Sequence, residues 1–108
     1  MSYTVPLSTE PYLYWYRTDL FQELGLQPAT TWEQVISNAK TLQQAGYLGY
    51  NPLYTAGGTA HFFNEMLVSN AGRLFDPTTM HPLLDTDLAK QVITQFPSLH
   101  NSGPAAPT

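Results

Sequence analysis

The chain contains no cysteine. Disulfides, thiolate nucleophiles and cysteine-based zinc sites are therefore excluded, although the compartment is not fixed, since many exported bacterial proteins also lack cysteine. Charge is scarce as well. Asp, Glu, Lys and Arg make up 11% of 108 residues, against about 25% in an ordinary soluble domain. The cations Arg17, Lys40, Arg73 and Lys90 are scattered along a chain of net charge -4. No basic stripe is available to release counterions from phosphates, which argues against nucleic acid as a partner. No apolar run approaches the ~20 residues that span a bilayer. Met1-Ser2-Tyr3-Thr4-Val5-Pro6 has neither the basic n-region nor the apolar h-region of a signal peptide, so an exported parent is expected to start elsewhere.

What the chain does have is bulk: 43% hydrophobic residues and 13% aromatics, a composition that excludes collagen-like and disordered chains. At this length one domain can bury roughly two-thirds of its unfolded surface, enough for one modest core. A neutral, aromatic-rich exterior fits either of two situations. It can be a binding face of rings and uncharged polar groups, or a face that packs against something else.

Local signals divide the chain into one expected strand and four expected helices. Tyr12-Leu13-Tyr14-Trp15-Tyr16 has the bulk and β-propensity of a strand buried on both faces. Thr18 or Asp19 can cap a short helix over Leu20–Leu24, with Gly25 ending it in the left-handed conformation. Thr31-Trp32-Glu33-Gln34 reads as a capping box. The helix it opens carries Val35, Ile36, Ala39 and Leu42 at helical spacing and closes at Gly46. Tyr47–Tyr54 reads as a broken strand or an extended loop. Thr59 is placed to cap a third helix through Phe62, Phe63, Met66 and Leu67, ending at Gly72. Asp85-Thr86-Asp87 caps a fourth through Leu88, Ala89, Val92, Ile93 and Phe96, with Pro97 stopping it and a flexible Pro-rich tail following.

No catalytic constellation stands out. His61 and Glu65 lie one helical turn apart, but zinc needs three protein ligands and a supporting shell, so an ordinary polar pair or a site-lining His is the stronger reading and no metal is expected. Glu10 and Glu33 could form a carboxylate pair for glycoside hydrolysis, yet Glu33 sits in a helix first turn, where a carboxylate is stabilised in any case. None of Ser8, Ser37, Ser69 and Ser98 has a nucleophile-elbow context, and Ala56-Gly57-Gly58-Thr59 lacks the Lys of a phosphate loop. Rings at Tyr12, Tyr14, Trp15 and Tyr16 could stack on sugars, but a strand turns at most one or two of them toward a single site.

In order along the chain, Val5-Pro6, the Tyr14–Phe21 segment with its Asp19-Leu20-Phe21, Gly25-Leu26, Pro28, Thr31-Trp32-Glu33, Asn70-Ala71-Gly72 and Leu74-Phe75-Asp76 resemble family 1 extracellular solute-binding proteins of ABC importers, the maltose-binding-protein-like group. The resemblance runs from about Tyr3 to Phe96, with Arg17 where the family usually has Asn and Ala71 where Gly is common. It implies an α/β fold, here a helix-rich partial lobe of a periplasmic-binding-protein type II fold with a small sheet. It further implies residues 1–96 as that lobe and residues 97–108 as the tail, and a chain that is a fragment of a longer parent. The parent would be periplasmic, or extracellular and lipid-anchored, and would deliver a sugar or similar solute to an ABC permease. No cofactor and no catalytic residue is implied. Glu10, Tyr12, Thr59, His61 and Phe62 are carried over as ligand contacts. A lone lobe exposes apolar surface, which favours a homo-oligomer. Two other readings stay open: a small carbohydrate-active hydrolase using Glu10, Glu33 or His61, and an oligomerising interaction module.

Overall fold

The computed structural model describes residues 3–51 and 56–103. Four helices occupy most of it: α1 (Thr18–Glu23), α2 (Trp32–Gln44), α3 (Ala56–Ser69) and α4 (Asp87–His100). None is long and apolar enough to cross a membrane.

Two helices, α2 and α4, begin where a threonine side chain satisfies a first-turn N–H group, whereas α1 follows Arg17 with no side-chain cap, so neither Thr18 nor Asp19 caps it as expected. Thr31 accepts a bond from the Gln34 N–H, and Thr86 accepts one from the Ala89 N–H. The return half of the expected capping box is displaced by one residue: Gln34 Oε1 accepts from the N–H and hydroxyl of Thr30 (2.7 and 2.9 Å), not from Thr31. Thr59 is no cap, because α3 already starts at Ala56.

α1, α2 and α3 end alike. Leu26 N–H reaches back to Phe21 O, Tyr47 N–H to Leu42 O and Gly72 N–H to Leu67 O, the six-to-one bond of a Schellman motif. That bond needs a left-handed residue just before its donor. Gly25 (φ +67°) and Gly46 (φ +88°) supply it in α1 and α2. In α3 the position falls to Ala71 (φ +62°), and Gly72, the residue expected to take it, is instead the donor. Gly72 is required there for another reason: a Cβ would stand 2.6 Å from Leu67 Cδ1.

The core lies where α4 packs on α2 and α3. Val35, Ala39 and Leu42 of α2 are buried at i, i+4 and i+7. Ala89, Val92 and Leu99 of α4 keep a 3.6-residue period, and Phe62, Met66 and Leu67 complete the cluster from α3. Each fully buried side chain of this size contributes about 1.5–3 kcal/mol.

Pro97 does not stop α4. The helix continues to His100, and Leu99 beyond the proline is fully buried. The apolar period outweighs the one hydrogen bond that a proline cannot donate. The chain is then tied down at Ser102, whose carbonyl accepts from the N–H groups of Gly49 (2.7 Å) and Tyr50 (3.3 Å). Residues 97–103 are therefore packed structure and not tail, while Pro104–Thr108 fall outside the described residues.

The helix-rich expectation holds, but no sheet lies among the described residues. An isolated bridge joins Phe75 to Pro82, inside a turn in which Asp76 Oδ1 accepts from the N–H groups of Thr78 and Thr79, both at 2.8 Å. The segment expected as a doubly buried strand is extended but solvent-facing, with Trp15 83% exposed. A strand is made by its partner's hydrogen bonds, and none joins the backbone of residues 11–16 to another described residue. The segment is held by rings instead. Tyr14 stacks on Tyr50 (6.4 Å) and Tyr16 packs on Phe21 (4.9 Å). Residues 47–51 are likewise irregular, and residues 52–55 fall outside the described part.

Candidate binding cavity

A cavity of about 490 Å³ opens between the extended segment, the start of α2 and one face of α3, well within the range of small-ligand sites. The extended segment supplies Tyr12, Leu13 and Tyr14, one more residue than an alternating strand would present. The loop into α2 and its first turn supply Ala29, Thr30, Thr31, Trp32, Glu33 and Val35, and Tyr50 and Asn51 close one side. From α3 come Gly58, Phe62, Glu65 and Ser69, with Asn70 just past its end. The spacing of four, three and four residues from Gly58 to Ser69 places these four on one helix face.

Aromatic packing sets the walls. Trp32 meets Phe62 edge-to-face at 5.6 Å and 79°, making a corner of two nearly perpendicular rings. Phe62 also lies against Tyr50 (6.0 Å) and Phe96 (5.4 Å), which anchors the corner to the core. The indole is fixed at its polar end, where Trp32 Nε1 donates to Ser69 Oγ at 2.6 Å. Ser69 in turn donates to Met66 O, as does the Asn70 amide.

Two carboxylates line the cavity. Glu33 accepts from the Gln95 amide at 3.3 Å and lies in the first turn of α2. Glu65 is half-buried, and burial lifts its carboxyl above the usual range. Burial also raises the Tyr14 phenol. No lysine or arginine lines the cavity. Arg17 is committed to Asp19, which it holds down to about 2, and Lys90 pairs with Asp85. Among the described residues, no three His, Asp or Glu side chains gather in a way that could hold a metal ion.

The residues carried over from the resemblance are dispersed. Tyr12 and Phe62 line the cavity, whereas Glu10, Thr59 and His61 do not. His61 is exposed and stacks against Tyr12, with ring centroids 6.0 Å apart. Trp32, Tyr50, Glu65, Ser69 and Asn70 were not singled out as contacts from sequence. Glu65 and Ser69 were within reach of that reasoning, since they follow Phe62 at i+3 and i+7. Trp32 and Tyr50 are brought in by the tertiary fold alone.

A second cavity of about 400 Å³ lies behind the extended segment, between Trp15, Arg17, α1 and Leu48. Its lining is largely apolar, with Arg17 held by Asp19.

No curated protein sequence and no solved structure matches the chain. A family model described as bacterial extracellular solute-binding protein matches residues 1–107, nearly the whole length. The ordered segments Asp19-Leu20-Phe21, Thr31-Trp32-Glu33 and Leu74-Phe75-Asp76 thus take their places in a chain that belongs to the bacterial extracellular solute-binding protein family, whose role is solute capture for ABC import.

Proposed function

We propose that the cavity beside Trp32 captures a sugar or sugar-like ring, and that the chain forms part of one lobe of a maltose-binder-like protein serving an ABC permease. The observation that carries this reading is the lining itself: a perpendicular Trp32–Phe62 corner bordered by tyrosines, with Asn51, Asn70 and threonine side chains beside it. A pyranose presents C–H groups to π-faces and hydroxyls to amides and hydroxyls, and this combination offers both. Tyr12 and Phe62 are the contacts shared with the family resemblance, and His61 stacks on Tyr12.

The site is read as binding without chemistry. Of the carboxylates considered for hydrolysis, Glu10 lies outside the cavity and Glu33 is engaged by Gln95. One open wall also limits affinity, because enclosure by a second wall is what makes a two-lobed binder tight. Dissociation constants near 1 mM, about 4 kcal/mol, are expected for the chain alone.

The test uses the two tryptophans. In a Trp15→Phe variant Trp32 is the sole indole, so saturable fluorescence changes on titration with mono- and oligosaccharides report the cavity directly. Saturation that disappears when Phe62 is replaced by Ala supports the reading. Linear, sugar-independent traces up to 100 times the expected constant, roughly 100 mM, would reject it. Release of reducing sugar from an oligosaccharide would reject the non-catalytic part.

A further inference from the structure

The cavity's charge is of one sign. Trp32, Phe62, Tyr12 and Tyr50 supply π-faces, Glu33 and Glu65 supply negative charge, and no cation of the chain reaches the lining. The Glu65 side chain makes neither a hydrogen bond nor an ion pair with any described residue, although it is half-buried. A carboxylate taken partly out of water without a partner is costly and gains most from a cation brought to it. Aromatic faces add to the same preference, since their quadrupoles attract ammonium groups within about 6 Å. The Trp32–Phe62 corner, at 79°, offers two ring directions to such a group.

We propose that the cavity selects solutes carrying a protonated amine, such as an amino sugar, over neutral or anionic solutes of the same shape. The inference rests on the sugar-capture reading of this cavity and refines its substrate class. Glu65 supplies the charge partner and the ring corner supplies the cation–π surface. Glu33 contributes the second negative charge from the α2 first turn, with one oxygen bonded to Gln95. His61 stacks on Tyr12 and is not part of the lining.

The experiment compares glucose, glucosamine, N-acetylglucosamine and glucuronate by calorimetric titration of the whole chain near pH 7.4 at low ionic strength. These probes share the pyranose and differ in charge. Glucosamine is expected to bind about tenfold more tightly than glucose. N-acetylglucosamine, which keeps the nitrogen but loses the charge, should fall back with glucose, and glucuronate should bind weakest. Added salt should narrow the ratio. Glu65→Gln should bring the glucosamine-to-glucose ratio toward one, and the salt series on the unmodified chain keeps the test independent of whether that variant folds. Glucose binding with an equal or lower affinity for glucosamine overturns this inference while leaving sugar capture intact. Absence of binding by all four overturns both.

Discussion

Ala71 offers a sharp test of the fold because three helices make the same C-terminal motif with different residues. Gly25, Gly46 and Ala71 each occupy the left-handed position before the six-to-one bond, and only Ala71 carries a Cβ there. An L-residue in that conformation costs roughly 1–2 kcal/mol, while glycine gives back about 0.4–1 kcal/mol through its freer unfolded chain. Ala71→Gly should therefore stabilise the protein by about 0.5–1 kcal/mol. In a domain of this size that raises the melting temperature by roughly 2–8 °C. The converse changes, Gly25→Ala and Gly46→Ala, should lower it by a similar amount. Nothing stands within 4 Å of a Cβ at either glycine, so those variants report the backbone conformation and not a clash. Thermal melts followed by far-ultraviolet circular dichroism, supported by urea midpoints, measure all three. A neutral or destabilising Ala71→Gly, with Gly25→Ala and Gly46→Ala costly as expected, would refute the left-handed assignment at Ala71 and the ending of α3 built on it.

Leu99→Ala removes a fully buried side chain beyond Pro97 and should cost about 2–5 kcal/mol; a loss under about 0.5 kcal/mol, the level of a surface change, would mean that α4 does not pack past the proline. Pro97→Ala restores a helix N–H and should stabilise by about 1–3 kcal/mol, read as a higher urea midpoint, and an unchanged or lower midpoint would contradict a continuous helix there. Stability should also fall on both sides of mildly acidic pH. Asp76 is held below its ordinary 3.8, first by the Thr79 and Thr78 N–H groups, so its contribution is present above that value and lost as pH falls through its lowered one. Glu65 is raised above 4.5 by burial, so its ionisation opposes folding as pH climbs from 4.5 through the raised value. Melting temperatures of Asp76→Asn and Glu65→Gln across pH 2–8 should show a flatter acid limb and a flatter upper limb respectively; a Glu65→Gln profile parallel to the parent's would contradict the burial of that carboxyl.

Much of the helical framework was legible because its signals are local. Thr31 and Thr86 cap through their own side chains, Gly25 and Gly46 end helices through their own φ, and the 3.6-residue spacing of Val35, Ala39 and Leu42 needs no knowledge of what they pack against. The family was legible for a related reason: the ordered short segments are properties of the chain itself, and the match over residues 1–107 bears out the solute-binding assignment.

Other features depended on contacts distant in sequence. Residues 12–16 have strand-like side chains, yet a strand exists only with a hydrogen-bonded neighbour, and here aromatic rings from Tyr50 and Phe21 hold the segment instead. Pro97 carries a strong local stop signal, but burial of Leu99 and the bonds to Ser102 outweigh it. The cavity assembles Trp32, Tyr50 and Glu65 from three separate elements. Sequence alone determined the starts of α2 and α4, two of the helix ends and the family, because capping, left-handed glycines and motif order are encoded within a few residues. Tertiary structure alone decided the fate of the aromatic run, the true end of α4 and the lining of the site, because each is set by which side chains long-range packing brings together.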